Sequence, residues 1–317
     1  MATVHTVTGP VDTADLGFTL MHEHVFVLSE GVNANFPHLW NHEERVSQAV
    51  AALKEAKARG VQTIVDLTVL GLGRDVKLVR DIARQAGIQV IVATGLYTYD
   101  ELPHYFVSRS VDHMADCFVR DIEAGIQDSE IKAAVLKCAT DEKGVTEGVE
   151  KVLRAVSKAH RRTGVPISTH THAASQRGLE QQRIFTEEGV DLRRVVIGHS
   201  GDTEDIDYLE KLMAAGSYIG MDRFGIDSIL PTEKRVSTIV KLCEQGRADR
   251  MVLAHDASCY IDWFDPALVR QAVPRWTFLH IPDDVVPALR GAGVSDAQIR
   301  TMTVDNPRRI FDVQGAY

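Results

Sequence analysis

Six side chains able to hold a metal ion are spread over most of the chain: His22, His24, Lys137, His170, His199 and Asp256. His22 and His24 are two residues apart, so on a strand both imidazoles point to the same side and can bind one ion. Imidazole and carboxylate together suit zinc, iron, cobalt or manganese. Lys137 follows the apolar run Ala133-Ala-Val-Leu136, which directs it inward, where an ammonium is costly and tends to lose its charge. Three fates are open to it: pairing with a carboxylate, a Schiff base, or reaction with CO2 to a carbamate that bridges two metals. Beside five other metal-capable groups the carbamate fits best, because a cationic amine would repel the ions. Asp256 follows a buried run and reads either as a helix N-cap or as a ligand able to move a proton of a bridging water. His172 shares the face of His170 further out and reads as pocket lining or as outer support.

What brings these residues together is a repeated βα pattern. Apolar runs at 19–24, 63–67, 90–94, 133–137, 166–170, 194–199, 218–222 and 251–255 predict eight strands. Helical periodicity fills 43–59, 145–162, 179–188, 208–215 and 235–244, and Gly60, Gly164, Gly189, Gly216 and Gly246 stand at the ends. Such alternation predicts a parallel sheet, and eight units predict a closed (β/α)8 barrel of the α/β class. All strand C-termini then open on one face, and the six candidate ligands fall at or just after strand ends. The segment 258–282 is too long for a routine connection and is expected to shape the pocket. Residues 284–311 read as helices packed outside the barrel. A single catalytic domain over 1–317 is expected.

Composition removes other functions. The 317 residues carry a formal charge of -9 and no basic stripe, so nucleic acid is not an expected partner. No apolar run reaches ~18 residues and positions 1–15 lack a signal-peptide pattern, so a cytoplasmic protein with no membrane partner is expected. The four cysteines, Cys117, Cys138, Cys243 and Cys259, show no metal or redox spacing and read as reduced thiols. Gly71-Leu-Gly73 has no third glycine, which leaves nucleotide binding unsupported, and no Gly-x-Ser-x-Gly elbow occurs.

The motifs Thr19-Leu-Met-His-Glu-His24, Ala93-Thr-Gly-Leu-Tyr-Thr-Tyr99, Leu136-Lys-Cys-Ala139, Ser168-Thr-His-Thr-His172, Ile197-Gly-His-Ser-Gly-Asp202, Gly220-Met-Asp-Arg-Phe-Gly225 and Asp305-Asn-Pro-Arg-Arg309 span nearly the whole chain in order. In them the chain resembles the phosphotriesterase family of the amidohydrolase superfamily, and within it the phosphotriesterase-like lactonases. The resemblance implies one metal held by His22, His24, Lys137 and Asp256, a second by Lys137, His170 and His199, and a hydroxide between them. The ions are expected to be zinc, or iron, cobalt or manganese, with Lys137 carboxylated by CO2. It further implies Tyr97 and Arg223 beside the reacting atoms with Asp256, and Leu72 and Trp263 with them against the substrate. Two departures stand out: 101–116 is short beside relatives, and Ala254 stands where serine is expected. Neither touches a ligand position. The implied activity is opening of N-acyl homoserine lactones, a quorum-quenching reaction, with promiscuous organophosphate triesterase activity and a homodimeric state. A dedicated aryldialkylphosphatase is the alternative, since the same ligands can serve attack at phosphorus. The histidine set argues against a Schiff-base aldolase, and the complete ligand set against a barrel kept only for binding.

Overall fold

The computed structural model describes residues 2–312 and 315–317. A hairpin of β1 (Thr3–Thr6) and β2 (Gly9–Asp12) precedes the barrel strands β3 (Phe18–Val27), β4 (Val61–Asp66), β5 (Gln89–Gly95), β6 (Val135–Thr140), β7 (Ile167–Thr171), β8 (Val195–Ile197), β9 (Tyr218–Met221) and β10 (Met251–Leu253). A last strand, β11 (Ser258–Ile261), follows. All strands from β3 onward pair in parallel, in the order β10-β9-β8-β7-β6-β5-β4-β3-β11. The ring closes where the Asp256 N–H donates to the His22 carbonyl at 2.9 Å and the His24 N–H to the Ala257 carbonyl at 2.8 Å. The fold is the expected (β/α)8 barrel, and β3 to β10 are its eight strands.

Strand ends depart from expectation for a steric reason. β8 was expected to reach His199 and β10 to reach His255, yet they stop at Ile197 and Leu253. His199 and Asp256 adopt φ of 57° and 54°, a left-handed backbone that no ladder accommodates. β3 is longer than expected: its pairing with β4 slips between Leu20 and Glu23, and beyond Glu23 it runs on beside β11, which pairs with His24, Phe26 and Val27. Part of the segment after β10 is regular: β11 extends the sheet beside β3, and a helix follows at Pro266–Ala272.

Two apolar cores result. Val65, Leu67, Ile91, Ala93, Val135, Val196 and Val252 face one another inside the barrel. A larger layer lies between the strands and the helices, which include His42–Ala58, Glu147–Thr163 and Thr232–Glu244. The N-terminal hairpin docks against the barrel through the Val7 N–H on the Val90 carbonyl at 2.9 Å, and its Val4 joins the inner core with Leu16. The C-terminal helix Asn306–Asp312 is fastened by Asn306, whose amide donates to the carbonyls of Ala248 and Met251 at the start of β10.

The closure is held by a buried carboxylate. Glu23, fully buried on β3, accepts from the His255 N–H at 2.9 Å, from His255 Nδ1 at 2.7 Å and from the Ala257 N–H at 2.9 Å. Glu23→Ala leaves these donors without a partner. We expect a loss of about 3 kcal/mol and a fall in Tm of roughly 4–5 °C in calorimetry, with a smaller fall for Glu23→Gln.

Candidate metal centre

β3 presents His22 and His24, β6 Lys137 and β7 His170, while His199, Arg223 and Asp256 stand just beyond β8, β9 and β10. All four histidines and Lys137 are buried. Lys137 Nζ lies 2.8 Å from His22 Nε2. The Asp256 carboxylate is 3.2 Å from His24 Nε2, 3.4 Å from His22 Nε2 and 3.6 Å from His199 Nε2. His199 Nε2 and His170 Nδ1 face each other at 2.9 Å. The structure thus gathers all six candidate ligands into one continuous cluster. Among the described residues, His22, His199 and Asp256 have ligand atoms within 4.8 Å of one another.

Each ring also has an outer nitrogen with its own partner. His22 Nδ1 and His199 Nδ1 both meet Asp222, at 3.0 and 2.8 Å. His24 Nδ1 meets Thr68 Oγ1 at 2.8 Å, and His170 Nε2 meets Asp141 Oδ2 at 2.8 Å. A hydrogen bond at the outer nitrogen fixes the tautomer and leaves the inner lone pair free for a cation. Burial pushes His170 down to about 4 and His199 well below the usual imidazole range. Both rings are therefore neutral at pH 7. Burial also lowers Lys137 to about 8, against the pull of Asp256 and Asp222. Burial opposes the charge on Asp256, yet its neighbours, the His24 hydrogen bond and the Arg223 guanidinium among them, outweigh it and hold the carboxyl well below the usual carboxylate range. Neutral imidazoles, a lysine able to shed its proton and an ionised carboxylate form a donor set that fits divalent ions.

Backbone strain marks the same place. His199, Arg223 and Asp256 all have positive φ, near 57°, 61° and 54°, without being glycine. Such conformations cost roughly 1–3 kcal/mol each and persist where surrounding bonds over-determine them. Arg223 supplies some of those bonds, with Nε on Asp256 Oδ2 at 3.2 Å and Nη1 on Asp202 Oδ2 at 3.0 Å.

A pocket of about 260 Å³ opens over the cluster, with Leu72, Tyr97, Tyr99, Ile229, Trp263 and Phe264 in its wall. The Tyr97 hydroxyl is 3.3 Å from His170 Nδ1 and hydrogen-bonds the Tyr99 hydroxyl. Burial pushes the Tyr97 phenol well above its usual range, so it remains a donor. Trp263 is 43% exposed at the pocket mouth, and its ring stands 6.4 Å from that of Tyr97. His172 does not line the pocket; its Nδ1 turns to the Ser175 hydroxyl. Sequence reasoning missed Asp222, Asp141, Thr68 and Tyr99. Asp222 had a signal, since it ends the seventh predicted strand on the same face as the ligands.

The sequence profile of the phosphotriesterase family matches residues 2–311. The chain belongs to the phosphotriesterase family. It is thus a hydrolase of a family whose enzymes use divalent metals, in keeping with the donor cluster. It is 58% identical to the phosphotriesterase homology protein of Mycobacterium tuberculosis over 100% of both chains. It is 45% identical to an aryldialkylphosphatase of Saccharolobus solfataricus, over 95% of this chain and 96% of that one. The solved structure of the phosphotriesterase from M. tuberculosis superposes with a TM-score of 0.97 at 57% identity, covering 99% of this chain and 100% of that one.

Asp222 meets the outer nitrogens of two imidazoles at once. In Asp222→Asn the amide cannot accept from both ring N–H groups. Metal affinity, read by competition with a chromogenic chelator, is expected to fall roughly 10- to 100-fold.

Proposed function

We propose that this chain is a metal-dependent lactonase that opens N-acyl homoserine lactones and related rings, with weaker promiscuous action on organophosphate triesters. The observation that carries the reading is the tyrosine hydroxyl of Tyr97 beside His170, in a pocket whose wall also carries an apolar part from Leu72, Ile229, Trp263 and Phe264. A lactone with an acyl tail needs both: a donor for its carbonyl and a dry surface for its chain.

In this reading His22, His24, Lys137 and Asp256 hold one divalent ion, and Lys137, His170 and His199 a second, with zinc, iron, cobalt or manganese as candidates. Bound there, the ions supply a water acidic enough to attack at neutral pH and a Lewis acid for the carbonyl oxygen. Lys137 sheds its proton readily and so can take up CO2 as a carbamate, which turns a repelling ammonium into an anionic ligand. Asp256, pinned by Arg223, accepts the proton of the attacking water and returns it to the leaving alkoxide. Tyr97 donates its O–H to the oxyanion as charge develops on it. The apolar wall excludes water and seats the acyl chain, and the rim position of Trp263 lets it close over the tail. Phe36, Leu39 and Leu268 are exposed and offer apolar surface for the homodimer that this reading includes.

A dedicated aryldialkylphosphatase is the second reading, favoured by the name of the relative from S. solfataricus. Proton release from an acyl homoserine lactone and from paraoxon, measured side by side on metal-loaded enzyme, separates the two. We expect kcat/KM to be higher for the lactone by about tenfold or more, a difference of about 1.4 kcal/mol in activation energy. The reverse order means a triesterase. Lys137→Ala is expected to lose activity by at least about 100-fold and to regain part of it in millimolar short-chain carboxylate. Full activity without rescue overturns the carbamate.

A further inference from the structure

Behind the wall that carries His24 lies a second cavity, of about 190 Å³. It sits between the connection that follows β3 and the one that follows β4. Phe26, Trp40, Val79 and Val92 give it an apolar lining, and the Phe26 and Trp40 rings meet edge to face at 5.2 Å. Asp66 and Thr68 also face it.

Asp66 makes this more than a gap in packing. Its carboxylate is buried, and each oxygen accepts one backbone N–H, from Thr68 at 2.9 Å and from Val25 at 3.2 Å. His24 Nδ1 approaches to 3.8 Å but gives its hydrogen bond to Thr68 Oγ1. Arg74 lines the cavity too, yet its guanidinium is engaged with Asp121 at 2.8 Å and with the Ala93 carbonyl at 3.2 Å. Among the described residues no lysine or arginine lies within ion-pair distance of Asp66. Asp75 adds a second acidic group to the lining. A buried anion held only by backbone donors favours a cation brought from outside. Aromatic faces beside it favour the same guest.

We propose that this cavity binds a small organic cation, an alkyl- or arylamine on the order of eight non-hydrogen atoms, since a 150 Å³ cavity takes benzene. The ammonium meets Asp66, and the apolar body lies between Trp40, Phe26 and Val79. The site is separate from the pocket over the metal cluster and does not rest on the lactonase reading.

The probe is 4-fluorobenzylamine, followed by fluorine NMR on the full chain, with 4-fluorobenzyl alcohol as its uncharged counterpart. We expect saturable binding at one site, about tenfold tighter for the amine than for the alcohol. Val79→Phe fills the cavity and is expected to weaken amine binding by about tenfold or more. Trp40→Ala removes one wall and weakens it as well, which keeps the site testable if Val79→Phe fails to fold. Asp66→Asn is expected to abolish the preference for the amine. Trp263→Ala leaves binding unchanged. Equal binding of amine and alcohol overturns the proposal, as does absence of saturation by about 10 mM amine. Binding that survives Val79→Phe and Trp40→Ala but is lost in Trp263→Ala places the amine over the metal cluster and overturns it too.

Discussion

Four imidazoles, a lysine and a carboxylate can share one dry barrel mouth only if each outward-facing polar atom finds a partner. Asp222 meets the largest part of that demand. It is buried at the end of β9 and accepts from the outer nitrogens of both His22 and His199 and from the His199 N–H. Asp141 and Thr68 do the same for His170 and His24. Burial then works in the site's favour. It disfavours the proton on His22, His170 and His199 and loosens the one on Lys137, and so favours lone pairs where an ion can use them.

The same demand explains where the strands stop. Continuing β8 and β10 in regular pairing would carry His199 and Asp256 onward along the sheet. The left-handed turns at these residues, and at Arg223, fold the side chains back over the barrel axis. The strain is carried by bonds on both sides. Arg223 clamps Asp256 to Asp202, and Glu23 grips the backbone on either side of Asp256, at His255 and Ala257. Arg235 braces this set from below, with Nη1 on the carbonyls of Gly201 and Asp222 and an ion pair to Asp202 at 2.7 Å. Barrel closure and site geometry are therefore a single set of hydrogen bonds, which is why a change at Glu23 should be felt as stability.

The wall around His24 has two sides with different chemistry. Towards the axis it presents ring nitrogen to the cluster. Away from the axis it presents Thr68 and Asp66 to an apolar cavity. A metal ligand's outer hydrogen bond thus doubles as the boundary of a second space.

The sequence alone determined the barrel, its eight strands and the six ligand candidates. Hydrophobic periodicity reports local burial, and parallel strands must end on a common face, so His22, His24, Lys137, His170, His199 and Asp256 were legible from position alone. The partners of those ligands were not. Which ring Asp222, Asp141 or Thr68 would meet depends on strand register and on the left-handed turns, and neither leaves a local pattern. The hairpin of β1 and β2 and the short β11 were unread for a related reason, since four-residue strands acquire their stability from distant neighbours such as β5 and β3. Trp263 stands at the rim and His172 turns aside to Ser175 because loop and strand-end side chains follow their nearest hydrogen bonds and packing. Tertiary contacts decided those positions, and with them the shape of the pocket.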